Sequence, residues 1–118
     1  MQKLALAAAL ACAATSAAGD EVDGHSGNYW MPRCIQGVHT LEGRDCFFFV
    51  LGIIEISELV WRPYCPPGEA TAGQKFAIVV NKLKSEPERW HRPMAALAGD
   101  ALEKAFPCPG RGTDEPQK

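Results

Sequence analysis

The sequence carries no excess of positive charge: 12 basic residues stand against 14 acidic ones, a formal net charge of −2. Without a basic stripe there is no footprint for phosphates, and nucleic acid is set aside as a partner. There is no C-x-x-C, no H-x-x-x-H, no phosphate loop and no dinucleotide fingerprint. Beyond the first eighteen residues Ser26, Ser57 and Ser85 are the serines, and none sits in a nucleophile elbow. His25, His39 and His91 read as surface or capping residues. The nearest approach to a metal-ligand set is Cys34, His39 and Cys46, and in an exported chain oxidation competes for the same sulfurs. A Cys–His nucleophile would need a free thiol, which an even set of paired cysteines does not leave. The expectation is therefore a protein that is not an enzyme, with no cofactor and no metal.

Cysteine itself is abundant, with five in 118 residues. That count suits a disulfide-stapled domain, provided the chain leaves the reducing cytosol. The first residues, "MQKLALAAALACAATSAAGD", place Lys3 before an apolar run and then small side chains at Ser16-Ala17-Ala18. This is the pattern of a signal peptide cut after Ala18, and it is too short to span roughly 30 Å of hydrocarbon. Cys12 is a poor lipoprotein site, because Ala9-Leu10-Ala11 lacks a leucine three residues ahead of it. Export to the periplasm is thus expected. Removal of residues 1–18 takes away Cys12 and leaves Cys34, Cys46, Cys65 and Cys108.

The stretch "CFFFVLGIIEI", Cys46–Ile56, must leave water. Glu55 and Glu58 close it well short of the ~20 residues of a spanning helix, so no membrane contact is expected after signal cleavage. From about Arg44 to Trp61 it holds no turn signal, which is too long for an ordinary strand. Ile53, Ile56, Leu59 and Val60 have helical spacing. The segment reads as one helix, apolar almost all round at its start and central to the core, with Glu55 and Glu58 on its solvated edge.

Its neighbours are better marked. Thr71 and Gln74 form a capping-box pattern ahead of Phe76, Val79, Val80 and Leu83, with Lys75, Lys82 and Lys84 on the wet side. Ser85 and Glu88 repeat the pattern around Pro87 and open a short turn through Trp90. Pro93 opens a last helix carrying Leu97, Ala98, Ala101, Leu102, Ala105 and Phe106, and "FPCPG" stops it. A first short helix runs through Tyr29, Trp30 and Cys34. The expectation is all-α: a small disulfide-stapled bundle of about four helices over residues 19–109, with "GRGTDEPQK", residues 110–118, as a disordered tail. Four cysteines allow three pairings, among which sequence alone does not choose. The order of the elements favours Cys34–Cys46 across a helical hairpin, which leaves Cys65–Cys108 to tie back the C-terminal end.

The succession "GNYWMPRC", "CFFFVLGIIEI" and "YCPPGEATAGQKFAIVVNKLKSEPERWHRPMAALAGDALEKAFPC" resembles the Rap/Tai-type immunity proteins of type VI secretion systems. The matching positions are Cys34, Cys46, Gly52, Cys65, Pro67, Thr71, Gln74, Pro87, Glu88, Phe106, Pro107 and Cys108, within a span from about Gly27 to Cys108. Phe48 stands where tyrosine is usual and Glu55 where aspartate is usual. The resemblance implies a small helical periplasmic protein, often a homodimer, that binds and blocks a peptidoglycan-cleaving amidase effector. Its residues are structural in character, so the binding surface has to be sought separately. Anchors at protein interfaces are typically aromatic residues and arginine. The turn "SEPERWHRP" offers Arg89, Trp90, His91 and Arg92 as partner-binding residues, against the alternative that Trp90 packs on the core. A periplasmic structural or chaperone-like helical protein with no toxin partner is the competing function.

Overall fold

The computed structural model describes residues 23–110. The leader expected over residues 1–18 lies outside the described residues, as does the expected tail beyond Gly110. Four α-helices follow one another: α1 (Gly27–Cys34), α2 (Leu41–Ile56), α3 (Ala72–Lys84) and α4 (Met94–Ala105). α2 runs straight into a π-helical turn, Ser57–Trp61, and a 3-10 turn, Pro87–Arg89, joins α3 to α4. Among the described residues the only β pairing is an isolated bridge between Ser26 and Pro93. The fold is all-α, as expected.

α1, α2 and α3 start at side chains that satisfy free amides, those of Ser26, Thr40 and Thr71, whereas α4 starts at Pro93 without one. Thr71 Oγ1 accepts from the Gln74 N–H at 3.1 Å, and the Gln74 side-chain oxygen accepts from the Thr71 N–H at 2.8 Å. That is the capping box read from the sequence. The second expected box is absent: the Ser85 hydroxyl donates to the Lys82 carbonyl, and the turn at Pro87 has no side-chain cap. α2 begins at Leu41, three residues ahead of the expected Arg44, because Thr40 caps it through the Gly43 N–H at 3.0 Å. Gly43 is needed there, since a Cβ would collide with the carbonyl of Gly37. Gly37 itself sits at φ +80°, a backbone region that favours glycine. The α1–α2 loop is thus pressed directly onto the first turn of α2.

α2 packs on α1, α3 and α4, so its central position holds. Its buried surface is narrower than its apolar surface, which runs almost all round the start of the helix. Gly43, Cys46, Val50 and Ile54 are its buried residues, a single stripe at spacings of three and four. They meet Met31 of α1, Val79 and Leu83 of α3, and Met94, Leu97 and Leu102 of α4. Four helices in so short a chain surround one core layer, and that layer has room for only one face of each. Phe49 and Ile53 pack partly buried at the edge of that stripe, while Leu41, Phe48 and Ile56 face outwards.

The four cysteines form two disulfides, Cys34–Cys46 and Cys65–Cys108. The first joins the end of α1 to the buried stripe of α2. The second ties the segment after the π-turn to the segment after α4, where the Cys65 N–H also donates to the Phe106 carbonyl at 2.8 Å.

Candidate functional site

The Arg89–Arg92 turn is held together from within. Trp90 is half-buried against the core, and its indole N–H donates to the Leu83 carbonyl at 2.8 Å. Its own carbonyl accepts from the Asn28 N–H at 2.7 Å, while the Arg92 carbonyl accepts from the Gly27 N–H. Arg89 lies between Glu86 and Asp100, and Arg92 reaches Asp100 at 3.0 Å. Hydrogen bonds from Lys82 and Arg89 hold the Glu86 carboxyl below its usual range. His91 is exposed, with Nδ1 3.0 Å from the Glu88 carbonyl. The turn docks α4 against the start of α1 and the end of α3, and His91 and the outer part of Arg92 stand clear of it.

A different surface presents unsatisfied apolar area. Leu41 is 67% exposed, Phe48 65%, Ile56 45%, Leu59 74%, Val60 57% and Trp61 66%. Leu41, Phe48, Ile56 and Leu59 recur at roughly helical intervals, so they form the stripe opposite the buried one. It ends in three consecutive exposed apolar side chains on the π-turn. A run of that kind on a folded surface costs solubility unless it is covered in use.

The π-turn is fixed by polar contacts beneath it. Ser57 is buried, and its hydroxyl donates to the Ile53 carbonyl at 2.6 Å. The turn closes with the Arg62 N–H donating to the Ser57 carbonyl at 2.7 Å, Arg62 itself being left-handed at φ 46°. Glu58, expected on the solvated edge, is instead the partner of Lys75, whose Nζ is 2.7 Å from one carboxylate oxygen and 2.8 Å from the other. Lys75, expected on the wet side of α3, is buried to 9% exposure. Both differences have one cause. The ion pair spans seventeen positions, so the periodicity of neither helix reveals it. Breaking it from one side would leave a partly buried charge uncompensated.

Beside this pair the Tyr64 phenol is 2% exposed and points at the Ile54 carbonyl, 3.4 Å away. Burial, followed by the negative charge of Glu58, pushes its pKa up to about 12 from 10.0. The folded state therefore keeps the proton that the unfolded state loses. Stability is unaffected by this group below pH 10 and declines as pH rises from 10 towards 12, by about 3 kcal/mol at most. Urea midpoints measured across that range should fall in the parent protein. They should fall less steeply in Tyr64→Phe, which has no phenol to ionise.

Among the described residues no cluster of His, Cys, Asp and Glu could hold a metal ion, and no helix is long and apolar enough to cross a membrane. What the geometry offers is an apolar contact surface on a helix braced by the Glu58–Lys75 pair. Of Ile53, Ile56, Leu59 and Val60, whose spacing is helical, only Ile53 packs against the core. The clue available was their number, which exceeds what one stripe of a small bundle can bury.

No curated protein and no solved structure shows a significant match to the chain. The family model of the Rap1a immunity proteins matches residues 26–108, a span that begins at the α1 cap and ends at the second disulfide, enclosing the whole bundle described above. The chain belongs to the Rap1a immunity protein family.

Proposed function

We propose that this immunity protein neutralises a peptidoglycan-cleaving amidase effector in the periplasm, by stoichiometric contact and without catalysis. The observation that carries the reading is the exposed apolar stripe of α2 and its π-turn, on a chain of an immunity family. An inhibitor needs anchors, and Phe48, Leu59 and Trp61 are large, exposed and mounted on a helix braced from below by the Glu58–Lys75 pair. The Arg89–Arg92 turn offers a second, smaller contact through His91 and the exposed part of Arg92. The export expected from the leader agrees with this reading, because it would bring the inhibitor into the compartment where peptidoglycan is cut. A homodimer, implied by the resemblance, would cover part of the apolar area before the effector is met.

Expression with the native leader tests compartment and chemistry together. The product should be released with the periplasm and its intact mass should begin at Gly19. Reduction should add about four hydrogens, two for each bridge. The co-encoded effector, passed over the immobilised protein, should be retained and should cleave the peptide side chains of isolated cell wall. A cytoplasmic product with reactive thiols would overturn the periplasmic assignment. A retained effector with a different activity would overturn the amidase assignment while leaving the contact mechanism standing.

A further inference from the structure

Between the starts of α2 and α3 lies an open groove of about 620 Å³, lined by Val38, Arg44, Phe47, Phe48, Gly73 and Phe76. Three phenylalanines make a ladder from core to surface. Phe76 packs on the core, Phe47 meets it edge to face at 5.1 Å, and Phe48 meets Phe47 the same way at 5.5 Å. The walls are set before any ligand arrives. The Val38 side is clamped by the Cys34–Cys46 disulfide and by the contact of Gly43 with Gly37, and the Gly73 side by the Thr71–Gln74 capping box. A preformed apolar groove binds without the cost of ordering its own walls.

One charged group stands at this groove. The Arg44 side chain is exposed and, among the described arginines, is the one whose guanidinium has no partner. Arg33 lies over the Tyr29 ring, Arg89 and Arg92 reach Asp100, and Arg62 is engaged. Its neighbours three and four positions away on the helix are Thr40, Leu41, Phe47 and Phe48, none of which is a carboxylate. An arginine set in aromatic surroundings, with its planar fork of donors unused, is suited to receiving a carboxylate from outside.

We infer that this groove binds a partner segment in which a large apolar side chain adjoins a carboxylate, the side chain entering over Phe47, Phe48 and Phe76 and the carboxylate pairing with Arg44. The inference rests on the contact mechanism proposed above and names the chemistry of the effector at that contact. Gly73 supplies the test of space. A Cβ there meets nothing closer than the Thr71 hydroxyl at 3.9 Å, so Gly73→Leu fills the groove without disturbing the chain.

Two arms separate this inference from the immunity reading. The first needs no effector: the isotope-labelled protein is titrated with millimolar 4-phenylbutyrate and, in parallel, with its neutral analogue 4-phenylbutanol. The acid should shift the amide resonances of Phe47, Phe48, Gly73 and Phe76 and bind more tightly than the alcohol. Arg44→Gln should erase that difference, and Gly73→Leu should abolish both sets of shifts. Absence of shifts at these residues, or equal binding of acid and alcohol by the parent protein, overturns the groove's assigned chemistry. The second arm measures effector affinity against salt. Arg44→Glu should weaken binding about tenfold or more and Arg44→Gln should flatten the salt dependence, a change that a purely structural role would not produce. Binding of the effector within twofold of the parent by both Gly73→Leu and Arg44→Glu overturns the groove as an effector site. Failure of the parent protein itself to bind counts against the proposed function, while the first arm still decides the groove.

Discussion

Replacing Cys65 and Cys108 together by serine should lower the stability of the domain by about 4 kcal/mol, the closure entropy of a loop of this length. The bridge spans 43 positions, against 12 for Cys34–Cys46, whose loss should cost about 3 kcal/mol. Either figure is a large part of the 5–15 kcal/mol typical of a folded domain, so the doubly reduced protein should be unfolded or nearly so at 37 °C. The two bridges also differ in access. Cys34 and Cys46 are both buried, whereas Cys65 is exposed. Mild reductant should therefore open Cys65–Cys108 first and release the end of α4 while the α1–α2 hairpin stays stapled. Urea unfolding of the two double-serine variants gives the energies, and timed alkylation with peptide mapping gives the order. A Cys65→Ser/Cys108→Ser variant whose midpoint equals that of the parent would show that the C-terminal tie contributes nothing.

The second large effect separates two tryptophans. Trp61→Ala should weaken effector binding by about 2 kcal/mol or more, roughly thirtyfold, with the helical circular-dichroism spectrum and urea midpoint unchanged. Its side chain is mostly in solvent, so the folded chain loses little by its removal. Trp90→Ala should do the reverse. It removes a half-buried ring and the hydrogen bond to Leu83 that holds the 3-10 turn, and should cost about 2–3 kcal/mol of folding stability. Any loss of binding in Trp90→Ala should then follow the fraction unfolded and disappear at low temperature. A folded Trp90→Ala protein that fails to bind would move the centre of the interface to the Arg89–Arg92 turn. Unchanged binding by Trp61→Ala would remove the π-turn from it.

That contrast shows what the sequence made legible. Elements whose signals are local were readable: the Thr71–Gln74 capping box, the stop at Pro107, the order of cysteines around a hairpin. Contacts set by distance along the chain were not. Nothing near Lys75 announces Glu58, and nothing in "SELVW" announces a π-turn, which depends on the Ser57 hydroxyl reaching back to Ile53 and on Arg62 accepting a left-handed backbone. Thr40 was a readable cap overshadowed by the apolar run that follows it. The outward face of α2 was hidden for a different reason. Apolar periodicity tells which residues avoid water, and a surface made to meet a partner avoids water just as a core does. Only the count of positions that one small core can bury distinguishes the two.

Inhibition by contact is decided by titrating the effector's activity. The purified co-encoded effector is assayed on isolated peptidoglycan while this protein is added in steps. Amide-bond cleavage should fall linearly and reach zero at about one equivalent, with a full effect retained at low temperature and no consumption of the inhibitor. Trp61→Ala should need a large excess for the same effect. Undiminished cleavage in the presence of a several-fold excess of the folded, disulfide-bonded protein would contradict it.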